Sequence, residues 1–235
     1  MAGKRKNNGK RPPCPDPELY QWIETKEGGH WRRKRSKDAP LNRSLSVNVS
    51  ATKIVSPAAR RIREKLETYT RNLNTGRIHG KLSGSLSKAY KEKGYADYSA
   101  LKGFDFQKEY PLEKLLLTQY QVNKIKGCIE LVIPIEKGAV KKYNQLVTDF
   151  YFEAILLYGD PLTGKPLNTA YASSEPYPFT NNLKGDCKLV LALPENDVPW
   201  MLILKVSCLE GNEMAAHPKH YGMKVVDTKV NNGPK

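Results

Sequence analysis

Apolar residues recur with two different periods along this chain, and the change from one to the other falls near Phe104. Upstream of it, Ala58/Ala59, Ile62, Leu66, Tyr69 and Leu73 are spaced three and four apart, which places them on one stripe of a helix. Ser56 ahead of Pro57 reads as an N-cap followed by the first helical position, and Gly76 reads as the C-terminal stop. A second period, Ile78, Leu82, Leu86 and Ala89/Tyr90, predicts a helix from Arg77 to about Lys91 that ends at Gly94. Gly80 and Gly84 weaken it by about 1 kcal/mol each relative to alanine. Two small residues four apart also let helices approach closely. A short helical hairpin is expected over residues 51–103.

Downstream the period is two. Ile129, Leu131, Ile133 and Ile135 form one apolar face, and Phe150, Phe152, Ala154, Leu156 and Tyr158 a second. Cys187, Leu189, Leu191 and Leu193 form a third, and Trp200, Leu202, Leu204, Val206 and Cys208 a fourth. The last two runs are joined by Pro194–Pro199, which reads as a hairpin loop. Weaker strands are expected over 119–126, 169–174 and 220–229. Short strands of this number, with turn signals between them, predict an antiparallel β-sandwich over 104–230. Immunoglobulin-like topology is the nearest analogue and a jelly roll the alternative. The fold class expected is α+β: a mobile basic arm over 1–50, the basic helical hairpin, the sandwich, and a flexible tail over 231–235.

Charge sharpens this division. The net charge is +15. Residues 1–100 hold 23 Lys/Arg against 9 Asp/Glu, while residues 101–235 hold 16 against 15. The front is therefore fitted to an anionic partner and the back to folding. Lys4, Arg5 and Lys6 make one cluster and Arg32, Arg33, Lys34 and Arg35 another, with Pro12, Pro13, Pro15 and Pro17 between them. Like charge with few apolar residues does not offset its ordering entropy, so an arm that contacts phosphates without sequence preference is expected. Arg60, Arg61 and Arg63 carry the positive face onward into the first helix. The ten residues just named are the predicted nucleic-acid contacts, with DNA or RNA as partner. The sandwich is left for a protein partner or for self-association.

Other chemistry is weaker. Gly159–Pro166 has the glycine spacing and the Lys165 of a phosphate-binding loop. Pro166 replaces the metal-binding hydroxyl, Pro161 removes a backbone N–H, and no apolar helical period follows, so a strand connection is expected. His217 and His220 lack a third ligand in register for a metal, with Cys208 pointing inward. Cys14, Cys128, Cys187 and Cys208 are separated by 114, 59 and 21 residues, which fits no zinc pattern and predicts free thiols. No cofactor site, catalytic triad or paired carboxylates stand out, so no enzymatic activity is expected. No apolar run reaches the ~20 residues of a membrane span.

Ile54 to Gly76, Tyr110-Pro111-Leu112-Glu113-Lys114-Leu115, Leu157-Tyr158-Gly159-Asp160-Pro161 and Pro199 to Gly211 resemble segments of bacterial proteins of similar length from genomes of the Bacteroidota type. Those proteins carry no established activity. The resemblance implies a basic helical front, a β-sandwich behind it, and a bacterial cytoplasmic or nucleoid-associated setting. A capsid-like assembly subunit with a genome-binding arm is the alternative function.

Overall fold

The computed structural model describes residues 12–25, 28–34, 43–195 and 198–230, with only the backbone for 43–47. They divide into two compact units between Ser46 and Val47.

The first unit holds an antiparallel hairpin of β1 (Tyr20–Thr25) and β2 (Gly28–Arg33). The arm expected over 1–50 thus holds an ordered hairpin at 20–33, and its residues 1–11, 26–27 and 35–42 lie outside the described residues. Trp22 and Trp31 are register partners, and their rings meet edge to face at 5.2 Å. Cross-strand aromatic pairs of this kind hold a short ladder together. The Trp31 indole N–H also donates to the Pro12 carbonyl at 2.9 Å. A Cβ on Gly29 would overlap the Trp22 ring at 2.1 Å, so this position is fixed by space.

Helix α1 spans Arg43–Thr70, all but its first four residues in the second unit, and α2 spans Ile78–Lys93. The first helix thus begins thirteen residues before Ser56, with Pro57 inside it. An internal proline costs about 3 kcal/mol. Here the apolar stripe runs on upstream through Ala51 and Val55, and both are fully buried with Ala58, Ala59, Ile62 and Leu66. That burial offsets the lost hydrogen bond. The second helix ends as expected, with Gly94 left-handed (φ 76°) and its N–H bonded to Tyr90.

His79 Nε2 lies 3.4 Å from the Ser56 carbonyl, so the chain doubles back along α1 before α2 starts. Gly80 and Gly84 face open space, and no close helix approach uses them.

A 3₁₀ turn (Tyr98–Leu101) and α3 (Leu112–Leu115) lead into β3 (Gln121–Ile125), β4 (Cys128–Glu136), β5 (Asp149–Tyr158), β6 (Asn168–Ser173) and β7 (Tyr177–Pro178). Then come β8 (Lys184–Ala192), β9 (Trp200–Glu210), β10 (Glu213–Met214) and β11 (Tyr221–Lys229). One sheet has the order β3-β4-β8. The other runs β11-β9-β5-β6, with β7 on β5 and β10 on β9, and every pairing is antiparallel. The strands predicted from the period-two faces are all present.

Strands β4 and β8 bury alternate residues and expose the rest, as a sheet with one wet face does. Strands β5 and β9 are buried almost throughout, so both their faces are covered. Phe150, Phe152, Trp200 and their face-mates meet the smaller sheet, where Lys124 of β3 lies 5.1 Å over the Trp200 ring. The opposite face carries Ile155, Leu157, Met201 and Ile203. There Tyr69 of α1 stacks on Tyr171, the register partner of Ile155, at 5.6 Å. The layers are therefore small sheet, large sheet and helices, sharing one core. The remaining edge of β11 is paired by residues 103–106, through Phe106 N–H to Met223 and Val225 N–H to Phe104, both at 3.0 Å. Among the described residues, no helix is long and apolar enough to cross a membrane.

Candidate anion-contact surface

Lys4, Arg5, Lys6 and Arg35 lie outside the described residues. Arg32 and Arg33 are exposed on β2, and Lys34 is exposed just past it, its amine donating to the Pro17 carbonyl at 2.8 Å. Neighbours on a strand face opposite ways. Arg33 therefore shares its face with Tyr20, Trp22 and Trp31, while Arg32 stands with Gln21 and His30. An arginine beside half-buried indoles is an arrangement that takes both phosphates and base faces. Sequence reasoning missed this platform. Its signal was the alternation Tyr20, Trp22 and Trp31, Arg33 around Gly28-Gly29, obscured by the surrounding charge.

The three helical arginines separate, because successive residues turn by 100° around α1. Arg60 is exposed and bonds Glu64 one turn on, Nε to Oε1 at 2.7 Å, and Arg63 reaches the same oxygen at 3.9 Å. The bond from Arg60 holds the Glu64 carboxyl below its usual range. Such exposed pairs are weak and leave both cations open to a stronger anion.

Arg61 turns the other way, into the β5–β6 connection, rather than standing on the exposed face with Arg60 and Arg63. Its Nη2 donates to the Pro161 carbonyl, and Nη1 lies 3.6 Å from where a Cβ on Gly164 would sit. Arg61 Nε and Nη1 are buried without an acceptor. The Tyr98 hydroxyl is also buried and unpartnered. Burial above all, and then Asp160, push its pKa far up.

The connection itself follows the expectation of a strand link. β5 and β6 are antiparallel partners, and no helix follows the glycines. Asp160 accepts from the Leu162 N–H at 2.8 Å, and Gly164 takes φ 80°, a conformation that favours glycine. On the α1 side of this loop lies a cleft of about 370 Å³ whose polar walls are Arg61, Glu64, Lys65 and Lys165. Glu64 is occupied by Arg60. Lys65 and Lys165 are exposed and make no ion pair among the described residues.

Elsewhere, His217 Nδ1 accepts from the Lys219 N–H at 3.1 Å, and His220 is fully buried against Tyr143. No three His, Cys, Asp or Glu residues converge on a metal position among the described residues. The cysteines are free, and burial pushes Cys208 up to about 12, which makes it an inert core thiol. Sequence reading also missed a buried polar network on the helix-covered face. Lys205 pairs with Glu153 at 2.7 Å, and Ser207 and Tyr171 donate to the same carboxylate at 2.9 and 3.1 Å. Comparison with protein-family models, with curated proteins and with solved structures finds no match to this chain.

Proposed function

We propose that this protein is a non-enzymatic nucleic-acid-binding protein of the bacterial cytoplasm. Its basic N-terminal part contacts phosphates of DNA or RNA largely without sequence preference. The observation that carries the reading is the segregation of charge, +14 before residue 101 and +1 after it, together with the exposure of Arg32, Arg33, Lys34, Arg60 and Arg63. Phosphate contact is the use for which exposed surface cations at this density are suited, since each contact releases condensed counterions.

The sandwich supplies a surface for a protein partner or a second copy, and we propose that its topology is immunoglobulin-like. Seven principal strands, lettered in chain order, group as A-B-E against G-F-C-D. This grouping supports the reading, since it differs from the immunoglobulin order only in having the fourth strand on the second sheet.

The test is a salt titration of binding to a random DNA duplex by the full chain and by a full-length variant with Lys4, Arg5, Lys6, Arg32, Arg33, Lys34 and Arg35 replaced by serine. The expected result is a steep negative log–log slope that becomes shallower by about 0.9 for each phosphate contact removed. Equal slope and affinity in the two proteins would dismiss the reading.

A further inference from the structure

We infer that the cleft between α1 and the β5–β6 connection binds a phosphate group, held by Arg61, Lys65 and Lys165. Three observations converge on it. The first is a cavity of about 370 Å³ walled by those three cations. The second is an imbalance of charge within it: Glu64, the acidic residue of the wall, is paired at 2.7 Å with Arg60. This leaves the excess positive charge that a doubly charged oxyanion matches. The third is that Arg61 Nε and Nη1 are buried with no acceptor, although the same guanidinium is fixed through Nη2 to the Pro161 carbonyl. A buried, charged donor left unpaired is costly, and native structures leave few of them. An anion at this position supplies the missing acceptor.

The arrangement also pre-orients the site. Arg61 is strapped to the loop it faces, so less rotamer freedom is lost on binding. Lys165 is exposed on the loop side of the cleft and Lys65 on the α1 side. Phosphate suits this set better than chloride, since several tetrahedral oxygens are needed to engage donors that arrive from a helix and from a loop. The inference stands apart from duplex binding by the N-terminal clusters, which lie on other residues.

The experiment is calorimetric titration of the full chain with inorganic phosphate at constant ionic strength, alongside Lys165→Gln, Arg61→Lys and a control, Lys188→Gln, on the exposed face of β8. Both of the first two variants should bind phosphate about tenfold more weakly or worse, with Lys188→Gln unchanged. Because Lys165 is exposed, its variant should keep the parent melting temperature, so weaker binding cannot be ascribed to unfolding. Absence of saturable phosphate binding, or equal weakening by Lys188→Gln, overturns the site and assigns the Arg61 donors to water. A second arm identifies the source of the group. If Lys165→Gln also lowers duplex affinity, the cleft takes a backbone phosphate. If duplex affinity holds while inorganic phosphate is lost, it takes a free phosphate or a small phosphorylated ligand. Both results support the cleft, and the second does so even where duplex binding fails.

Discussion

The most demanding residues in this molecule are the charged ones inside it. Glu153 and Lys205 are each about 5% exposed, and their ion pair is completed by the hydroxyls of Ser207 and Tyr171. Burying two charges costs about as much as their attraction returns, whereas removing one partner strands the other. Glu153→Gln should therefore lower stability by about 3–5 kcal/mol. The double variant Glu153→Leu/Lys205→Met should lose less than that, and urea denaturation of the two side by side will show the order. His220 makes a related case with a pH signature. Its ring is buried, neither nitrogen has a partner, and burial lowers its pKa below the ordinary 6.5. Lys219 and His217 push in the same direction, and Glu210 opposes them. The unfolded chain therefore takes up this proton first as pH falls, so stability is full above about 6.5 and declines below it. In His220→Phe that part of the slope should vanish between neutral pH and pH 5, read as the melting temperature against pH. The loss linked to Asp227 belongs to a separate, lower window. Its burial alone would raise the carboxyl, yet bonds from Lys124 and Lys102 hold it below 3.8.

Elements in this fold are decided by what they pack against, and glycine positions show how much. Gly80 and Gly84 sit in the interior of α2 with nothing near the place of a Cβ, so alanine at both should stabilise the protein by about 1–2 kcal/mol in total. Gly222 on β11 is the opposite case. A Cβ there would come within 3.0 Å of the Leu112 backbone in α3, so Gly222→Ala should cost about 1–3 kcal/mol. Thermal melts of both variants test the contrast. The same distinction explains which elements were legible beforehand. Strands β4, β5, β8 and β9 announced themselves because one face of each is a clean period-two run facing the other sheet. The second face of β5 and β9 was harder to read. Glu153, Lys205 and Ser207 make it look solvated, although helices cover it. The start of α1 was hidden by Pro57, whose usual place is a first turn; Ala51 and Val55 continued the stripe past it. At the candidate site, Arg60 and Arg63 were correctly read as surface cations. Arg61 was not, because nothing in local spacing says that a loop a hundred residues away will accept its hydrogen bond.

At the scale of the whole molecule, the charge boundary and the packing boundary do not coincide. Positive charge is concentrated before residue 101, but the buried residues of α1 and α2 belong to the same core as the sheets. Ile62, Leu66, Leu82 and Leu86 are fully buried in that core, as are Ile155, Leu157, Met201 and Ile203 on the sheet face that the helices cover. Gln107 adds a polar link: it accepts from the Asn74 N–H at 3.0 Å and donates to the carbonyls of Pro218 and Tyr221. Each large aliphatic side chain returned to water forfeits roughly 1.5–3 kcal/mol. Four such residues on the sheet alone, with Lys205 and Glu153 newly opened beside them, approach or exceed the 5–15 kcal/mol that holds a typical domain together. A chain beginning at Phe104 should consequently fail to unfold cooperatively and should bind a hydrophobic dye at room temperature. A chain beginning at Val47 keeps every one of these contacts and should melt in a single transition close to that of the full protein. Calorimetry on the two truncations decides it. A cooperative transition in the chain starting at Phe104 would mean that the sheets are self-sufficient and the helices an accessory. Its absence means that the two basic helices are built on the same core as the sandwich.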